Sequence, residues 1–286
     1  MINKNNFILG TAQLGQTYGL RKSNQLNNHK EGIKFINDAI QLGVNNLDTA
    51  SIYGDSEKII GKRAAKNSIN IFTKIPKLKS SNIEEVSSYF NQSIKNLNVD
   101  YISGLLMHHY QDININNLDC YIEKLIINKK IEKFGVSIYE ENNIQYKNYI
   151  NLMQLPANIF NQDLLRSKTI LKFIQNGGTI HIRSIFIQGL ILMNDKFISK
   201  KFHVLSEPIK KFKNLAKSND VLPEELAVAV VKELCPLGIP VIGCDNLNQL
   251  KKLISIMSRN IDSKLIYKAI DLGKKYPSKL WDPRFW

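Results

Sequence analysis

The sequence predicts an α/β fold, a single (β/α)8 TIM barrel domain over residues 1–286, with an extra loop after strand seven and a C-terminal helix and tail. Three observations point there. Short β-rich runs alternate with longer segments of helical period; there are eight such runs; and a barrel of roughly 250 residues plus additions accounts for the length. Strands alternating with helices pair in parallel through right-handed crossovers, and eight such units suit closure better than an open sheet.

In chain order the runs are FILGTA (7–12), NNLDTA (45–50), NIFTKI (70–75), YISGLLMHH (101–109), KFGVSIY (133–139), LMQLPANI (152–159), GTIHIRSIF (178–186) and IPVIGCD (239–245). Helical patterns lie between them. Residues 82–98 place Ile83, Val86, Phe90, Ile94 and Leu97 three or four apart, which makes one apolar stripe. Residues 187–219 exceed what a crossover needs, and the stretch FISKKFHVLSEPIKKF reads as a short extra helix capped by Ser206. After Asp262 a helix to about Lys275 leads into the aromatic tail YPSKLWDPRFW, expected to wall the pocket through Trp281, Phe285 and Trp286. No low-complexity linker divides the chain, so one domain is expected.

Composition narrows the function classes. Hydrophobic residues at 43% and charged residues at 22% support a sizeable core rather than a disordered chain. No apolar run approaches the roughly 18 residues of a membrane helix, and the N-terminus lacks the features of a signal peptide, so a cytoplasmic protein with no membrane insertion is expected. Cys120, Cys235 and Cys244 are too widely spaced for a disulfide framework or a zinc site, and no metal is expected. The formal charge of +14 comes from lysines scattered over many helices rather than gathered into one arm. That distribution argues against nucleic acid and is compatible with an anionic cofactor or substrate. Nothing in the sequence marks an oligomeric state.

The chemistry sits at strand ends. LDTASIYGDSEKIIG places Asp48 and Tyr53 five residues apart after the second strand, FTKIPK places Lys74 at the end of the third, and DYISGLLMHHY places His108 and His109 at the end of the fourth. In a barrel the ends of successive strands converge on one rim, so these groups can meet. Singly, a rim tyrosine packs, a strand-end lysine is solvated and a strand histidine sits satisfied in the core. Together they suit carbonyl reduction. Hydride addition makes an alkoxide, and a tyrosine can supply its proton if a neighbouring cation draws the phenol down from about 10. Lys74 would be that cation, Asp48 would hold it, and an imidazole would aim the substrate carbonyl. Two other readings use the same residues: a Schiff-base lyase with Lys74 as the amine, and a non-catalytic cofactor-binding sensor or scaffold.

The motifs D-T-A-x-x-Y-G, S-E-x-x-I-G, T-K, and D-Y-I with a histidine eight residues after Asp100 resemble those of the aldo-keto reductase family over nearly the whole chain. The resemblance implies an NAD(P)H-dependent oxidoreductase acting on a small carbonyl substrate, with Asp48, Tyr53, Lys74 and His108 as its catalytic four and His109 in support. It also implies cofactor contacts: Gly10 and Thr11 near the nicotinamide, Ser137 and Gln154 on the carboxamide, Arg183 and Ser184 where relatives carry an aromatic and a serine, and Gly243, Asn246 and Gln249 at the adenosine-phosphate end. There the helix N-terminus offers N–H groups to phosphate. Basic residues are missing at Gly243 and Gln249, while Lys251 and Lys252 follow, so the choice between NADP(H) and NAD(H) stays open. R-S-x-F-x-Q-G-L from Arg183 to Leu190, with the tail's D-P-x-x-W, resembles a bacterial subgroup associated with surface-polysaccharide synthesis. That implies a sugar or nucleotide-sugar substrate.

Overall fold

A computed structural model describes residues 7–286 apart from 18, 21–25, 27, 65–68, 81 and 142–146. Eight parallel strands close into a barrel in sequence order: β1 (Ile8–Gly10), β2 (Asn46–Asp48), β3 (Asn70–Ile75), β4 (Ile102–Met107), β5 (Ile131–Ser137), β6 (Leu152–Pro156), β7 (Thr179–Arg183) and β8 (Ile239–Gly243). Pairing of β1 with β8 sets Gly10 opposite Gly243 and completes the ring. Most strands are shorter than the apolar runs that announced them, so Tyr53, His108 and Ser184 fall just past strand ends, on the rim.

The helices are α1 (Ala12–Gly15), α2 (His29–Gln41), α3 (Ser56–Gly61), α4 (Ile83–Leu97), α5 (Leu118–Ile127), α6 (Asp163–Arg166), α7 (Lys168–Gln175), α8 (Asp195–Lys201), α9 (His203–Lys217), α10 (Pro223–Leu234), α11 (Leu247–Met257) and α12 (Ser263–Gly273). In α4 the predicted stripe buries Val86, Phe90 and Leu97 against the core. The Asn82 side chain accepts the Glu85 N–H at the start, and Asn98 ends the helix in the left-handed region at φ 52°.

The segment after β7 departs from the expectation. It folds as a 3-10 turn (Ile187–Leu192) followed by α8 and α9, and Ser206 lies inside α9 rather than capping a helix. Burial of Leu205 extends the helix a turn ahead of the Ser-Glu-Pro signal, with Pro208 taken inside it, while Asn194 caps α8. None of the described helices is long and apolar enough to cross a membrane.

Inside the barrel, Ile8, Phe72, Leu106, Leu152 and Val241 fill a separate small core beneath the rim. His181 shares that layer, fully buried and edge-on to Phe72 at 4.6 Å between ring centroids.

Candidate active site

The rim brings the four strand-end residues together. Asp48 ends β2, and its Oδ2 accepts a hydrogen bond of 2.6 Å from Lys74 Nζ on β3. Lys74 also donates to the Thr49 carbonyl at 2.8 Å, and its side chain is wholly buried. The same ammonium lies 5.3 Å from the Tyr53 ring centroid, and the His108 ring meets Tyr53 edge-on at 6.2 Å. His109 points to Asp112 instead, 3.6 Å away.

The turn that carries Tyr53 is fixed from below. The Thr11 hydroxyl donates to the Asp48 carbonyl, and the Ser56 hydroxyl donates to the Thr11 carbonyl at 3.0 Å. Gly54 takes φ +53°, and a Cβ there would stand 2.1 Å from the Gly15 carbonyl oxygen. A side chain at either glycine would therefore push Tyr53 off its seat. Glu57, from the S-E-x-x-I-G motif, is structural: it accepts the buried Thr73 hydroxyl at 2.6 Å.

The electrostatics correct one expectation. Burial, followed by the Asp48 charge, raises the Tyr53 phenol well above its ordinary value, against a smaller opposing pull from Arg183. The net shift is thus upward rather than the lowering expected from Lys74, whose ammonium is met at 2.6 Å by Asp48. Burial, with the cationic charges of Lys74 and Arg183, pushes the His108 imidazole down to about 3, so it is neutral at working pH.

Asp48 and Tyr53 open onto a cleft that Gly10, Thr11, Gln154, Arg183, Ser184, Gly243 and Gln249 also line. Lys74, His108, Ser137 and Asn246 lie outside its lining. Several predicted contacts are already engaged. The Gln154 amide donates to Asp48 Oδ1 at 2.7 Å, so Asp48 is held at both oxygens. The Thr11 hydroxyl is committed as above. At the start of α11, the Asn246 side chain accepts the Gln249 N–H, and the Gln249 amide exchanges bonds with Asp245, so that N–H is not free for phosphate. Lys252 is paired with Glu224. Ser137, by contrast, is buried with its hydroxyl lacking a partner among the described residues.

The aromatic tail does not wall this cleft. Trp281 is buried and stacked on Phe160 at 3.9 Å, Trp286 leans on Phe202, and Phe285 is exposed. Packing against the α6 end of the barrel buries more apolar surface than a wet rim offers. Arg284 instead reaches the rim through Tyr139. The wall on this side is the turn after β7, where the sequence already marked a segment longer than a crossover needs: Phe186, Gln188 and Leu192 face the cleft, and Gly189 takes φ +86°. Among the described residues no group of three or more His, Cys, Asp or Glu side chains could hold a metal ion.

The fold and this rim define a barrel of the oxidoreductase type. Residues 6–271 match the model of the Aldo/keto reductase family, and the chain belongs to that family. It is 26% identical over 152 residues to the methylglyoxal reductase YeaE of Escherichia coli, a match covering 52% of this chain and 49% of that relative, so the chain spans about half of its length. It is 21% identical over 280 residues to a probable aldo-keto reductase 1 of Glycine max, covering 85% and 80% of the two. Among solved structures, an aldo-keto reductase of Bacillus halodurans in its holo form superposes with a TM-score of 0.76 at 17% identity, over 97% of this chain and 95% of the other. One from Klebsiella pneumoniae in complex with NADP and acetate gives 0.74 at 16%, over 95% and 92%.

Proposed function

We propose that the chain is an NAD(P)H-dependent reductase, a single barrel domain that converts an aldehyde or ketone to an alcohol, with Tyr53 as proton donor. The observation that carries this reading is the buried Lys74–Asp48 pair lying under Tyr53, with the neutral His108 ring beside it. A neutral imidazole can donate a hydrogen bond to the carbonyl oxygen and so orient it. As negative charge grows on that oxygen, the Tyr53 proton moves to it; a phenol, even one raised by burial, is a far stronger acid than the alcohol it forms. Asp48 and Lys74, each answering the other, keep the site beneath Tyr53 ordered. Breaking such a buried pair typically costs about 3–5 kcal/mol.

The residues present fit a nicotinamide cofactor. The orphaned Ser137 hydroxyl and the Gln154 carbonyl oxygen can take its carboxamide, and Gly10 and Gly243, paired across β1 and β8, line the cleft without side chains. Gly10, Thr11, Ser184, Asn246 and Gln249 complete the cofactor set, whose phosphate end takes NADP(H) or NAD(H). Bound there, the reduced nicotinamide supplies the hydride. The Klebsiella relative's NADP supports this cofactor class. A keto-sugar or nucleotide-sugar belongs to the proposed substrate range, supported by the polar wall of Ser184 and Gln188. The lyase reading is disfavoured because an ammonium bonded to Asp48 has no lone pair to attack a carbonyl.

The test is Tyr53→Phe, which keeps the ring and removes the proton. Turnover of an aldehyde with NADPH is expected to fall by about 10²- to 10⁴-fold while cofactor affinity by fluorescence titration barely moves. A variant that kept more than about a tenth of turnover with chemistry rate-limiting would sink the assignment.

A further inference from the structure

Arg183 is a cation on the cleft wall that no carboxylate answers: among the described residues it makes no ion pair, although it lines the same cleft as Tyr53. The other charges of that wall are occupied. Asp48 holds Lys74, and Asp245 is bonded to the Gln249 amide. Asp282, close enough for Arg183 to lower its pKa, accepts two bonds from the Arg284 guanidinium at Oδ2. Among the described residues the hydrogen bonds of Arg183 are long, 3.3 Å to the Ile138 carbonyl and 3.5 Å to the Ser184 hydroxyl. A guanidinium carries five N–H groups, so most of its donor edge is unspent.

The guanidinium is nevertheless held in place. Its Cζ lies 4.1 Å from the Tyr139 ring centroid, and the Cζ of Arg284 lies 3.9 Å from the same centroid. Both guanidiniums therefore lie against the Tyr139 ring. Arg284 is fixed in turn by Asp282 and Glu140. Stacking fixes the plane of Arg183 and leaves its edge available, which is the geometry that grips an oxyanion with two parallel bonds. Its charge is felt at both Tyr53 and His108, which places it beside the reacting groups.

We propose that Arg183 is an anion subsite for the substrate: it takes a carboxylate or phosphate borne a few atoms from the reacting carbonyl, so the site selects anionic aldehydes or ketones over neutral ones. This rests on the carbonyl-reductase reading above. The net charge of +14 favours the approach of such substrates.

Two matched pairs test it with NADPH: succinic semialdehyde against butanal for a carboxylate, and glyceraldehyde 3-phosphate against glyceraldehyde for a phosphate. In Arg183→Met, the ratio of kcat/KM for the charged member of at least one pair to that for its neutral counterpart should fall about 10- to 100-fold, a readout from which any common loss through the cofactor pocket cancels. Arg183→Lys should recover part of the loss, since it keeps the charge without the fork. A loss confined to one pair identifies the anion. No loss, or an equal loss for charged and neutral members, overturns the proposal. Calorimetric titration of succinate and 3-phosphoglycerate into the cofactor-loaded protein reads the subsite without turnover. Binding to the wild type that weakens about tenfold or more in Arg183→Met supports the proposal, and equal affinity or no binding overturns it. Should the wild type reduce none of the four aldehydes, the reductase reading fails, and the calorimetry alone decides Arg183.

Discussion

Tyr53 holds its proton throughout the neutral range, because burial and the Asp48 carboxylate both disfavour phenolate. Lys74 therefore serves to hold Asp48 in place more than to acidify the phenol. His108 is silent over the same range, since its imidazole charges only near 3. A lowered histidine pKa means that the neutral form persists down to that value, and a raised tyrosine pKa means that the phenol persists above its ordinary value. Neither group titrates between about pH 5 and 8, so kcat/KM for reduction should be flat there. A step near the ordinary histidine value that vanished in His108→Gln would show that the imidazole is not shielded. The identities of these residues were legible in the sequence, but their partners were not. Nothing in LMQLP says that Gln154 donates to Asp48, 106 residues earlier, because that contact reaches across the barrel and depends on the closure of all eight strands.

At the scale of elements, the tail divides into an anchor and a brace. Trp281 is the anchor, stacked within 13° of parallel on Phe160 in the core. Arg284 is the brace, lying on Tyr139 and tied to Glu140 and Asp282. The aromatic count of the tail was readable, but which aromatic buries and which stays wet was not, since that follows from the two 3-10 turns (Ser278–Trp281 and Pro283–Phe285) that rotate successive side chains. Deleting residues 282–286 removes the brace and keeps the anchor. The melting temperature should then move little, and KM for the preferred anionic substrate should rise with kcat nearly unchanged. Trp281→Ala does the opposite: it should cost about 3–5 kcal/mol in chemical denaturation. If the deletion lowered kcat and KM together, or left KM unaltered, Arg284 would have no positioning role toward Arg183.

For the whole molecule, the barrel was legible because its evidence is periodic and repeated eight times, and NIFTKI became β3 residue for residue. What periodicity cannot convey is the content of the barrel's interior layers, where side chains from distant strands meet. His181 is the clearest case: one of eight apolar-looking runs delivers an imidazole into a layer of Phe72, Leu152 and Val241, in register with Gln154. Both its ring nitrogens lack partners among the described residues, and burial, with the charges of Lys74 and Lys133, pushes its pKa from 6.5 down to about 3. Between those two values the unfolded chain binds a proton that the folded barrel refuses. Stability therefore falls as pH drops through that window, by about 1.4 kcal/mol per pH unit for this one residue. His181→Leu removes the orphaned nitrogens along with the acid liability, and an apolar replacement of a buried unsatisfied group is often neutral or stabilising. The variant should gain about 2 kcal/mol more, relative to wild type, at pH 5 than at pH 8, read from urea midpoints at constant m. His108 carries the same liability in both proteins and cancels from the comparison. An equal shift at the two pH values would mean that His181 takes up its proton in the folded barrel as readily as in the unfolded chain, and that water or a partner reaches the layer beneath the site.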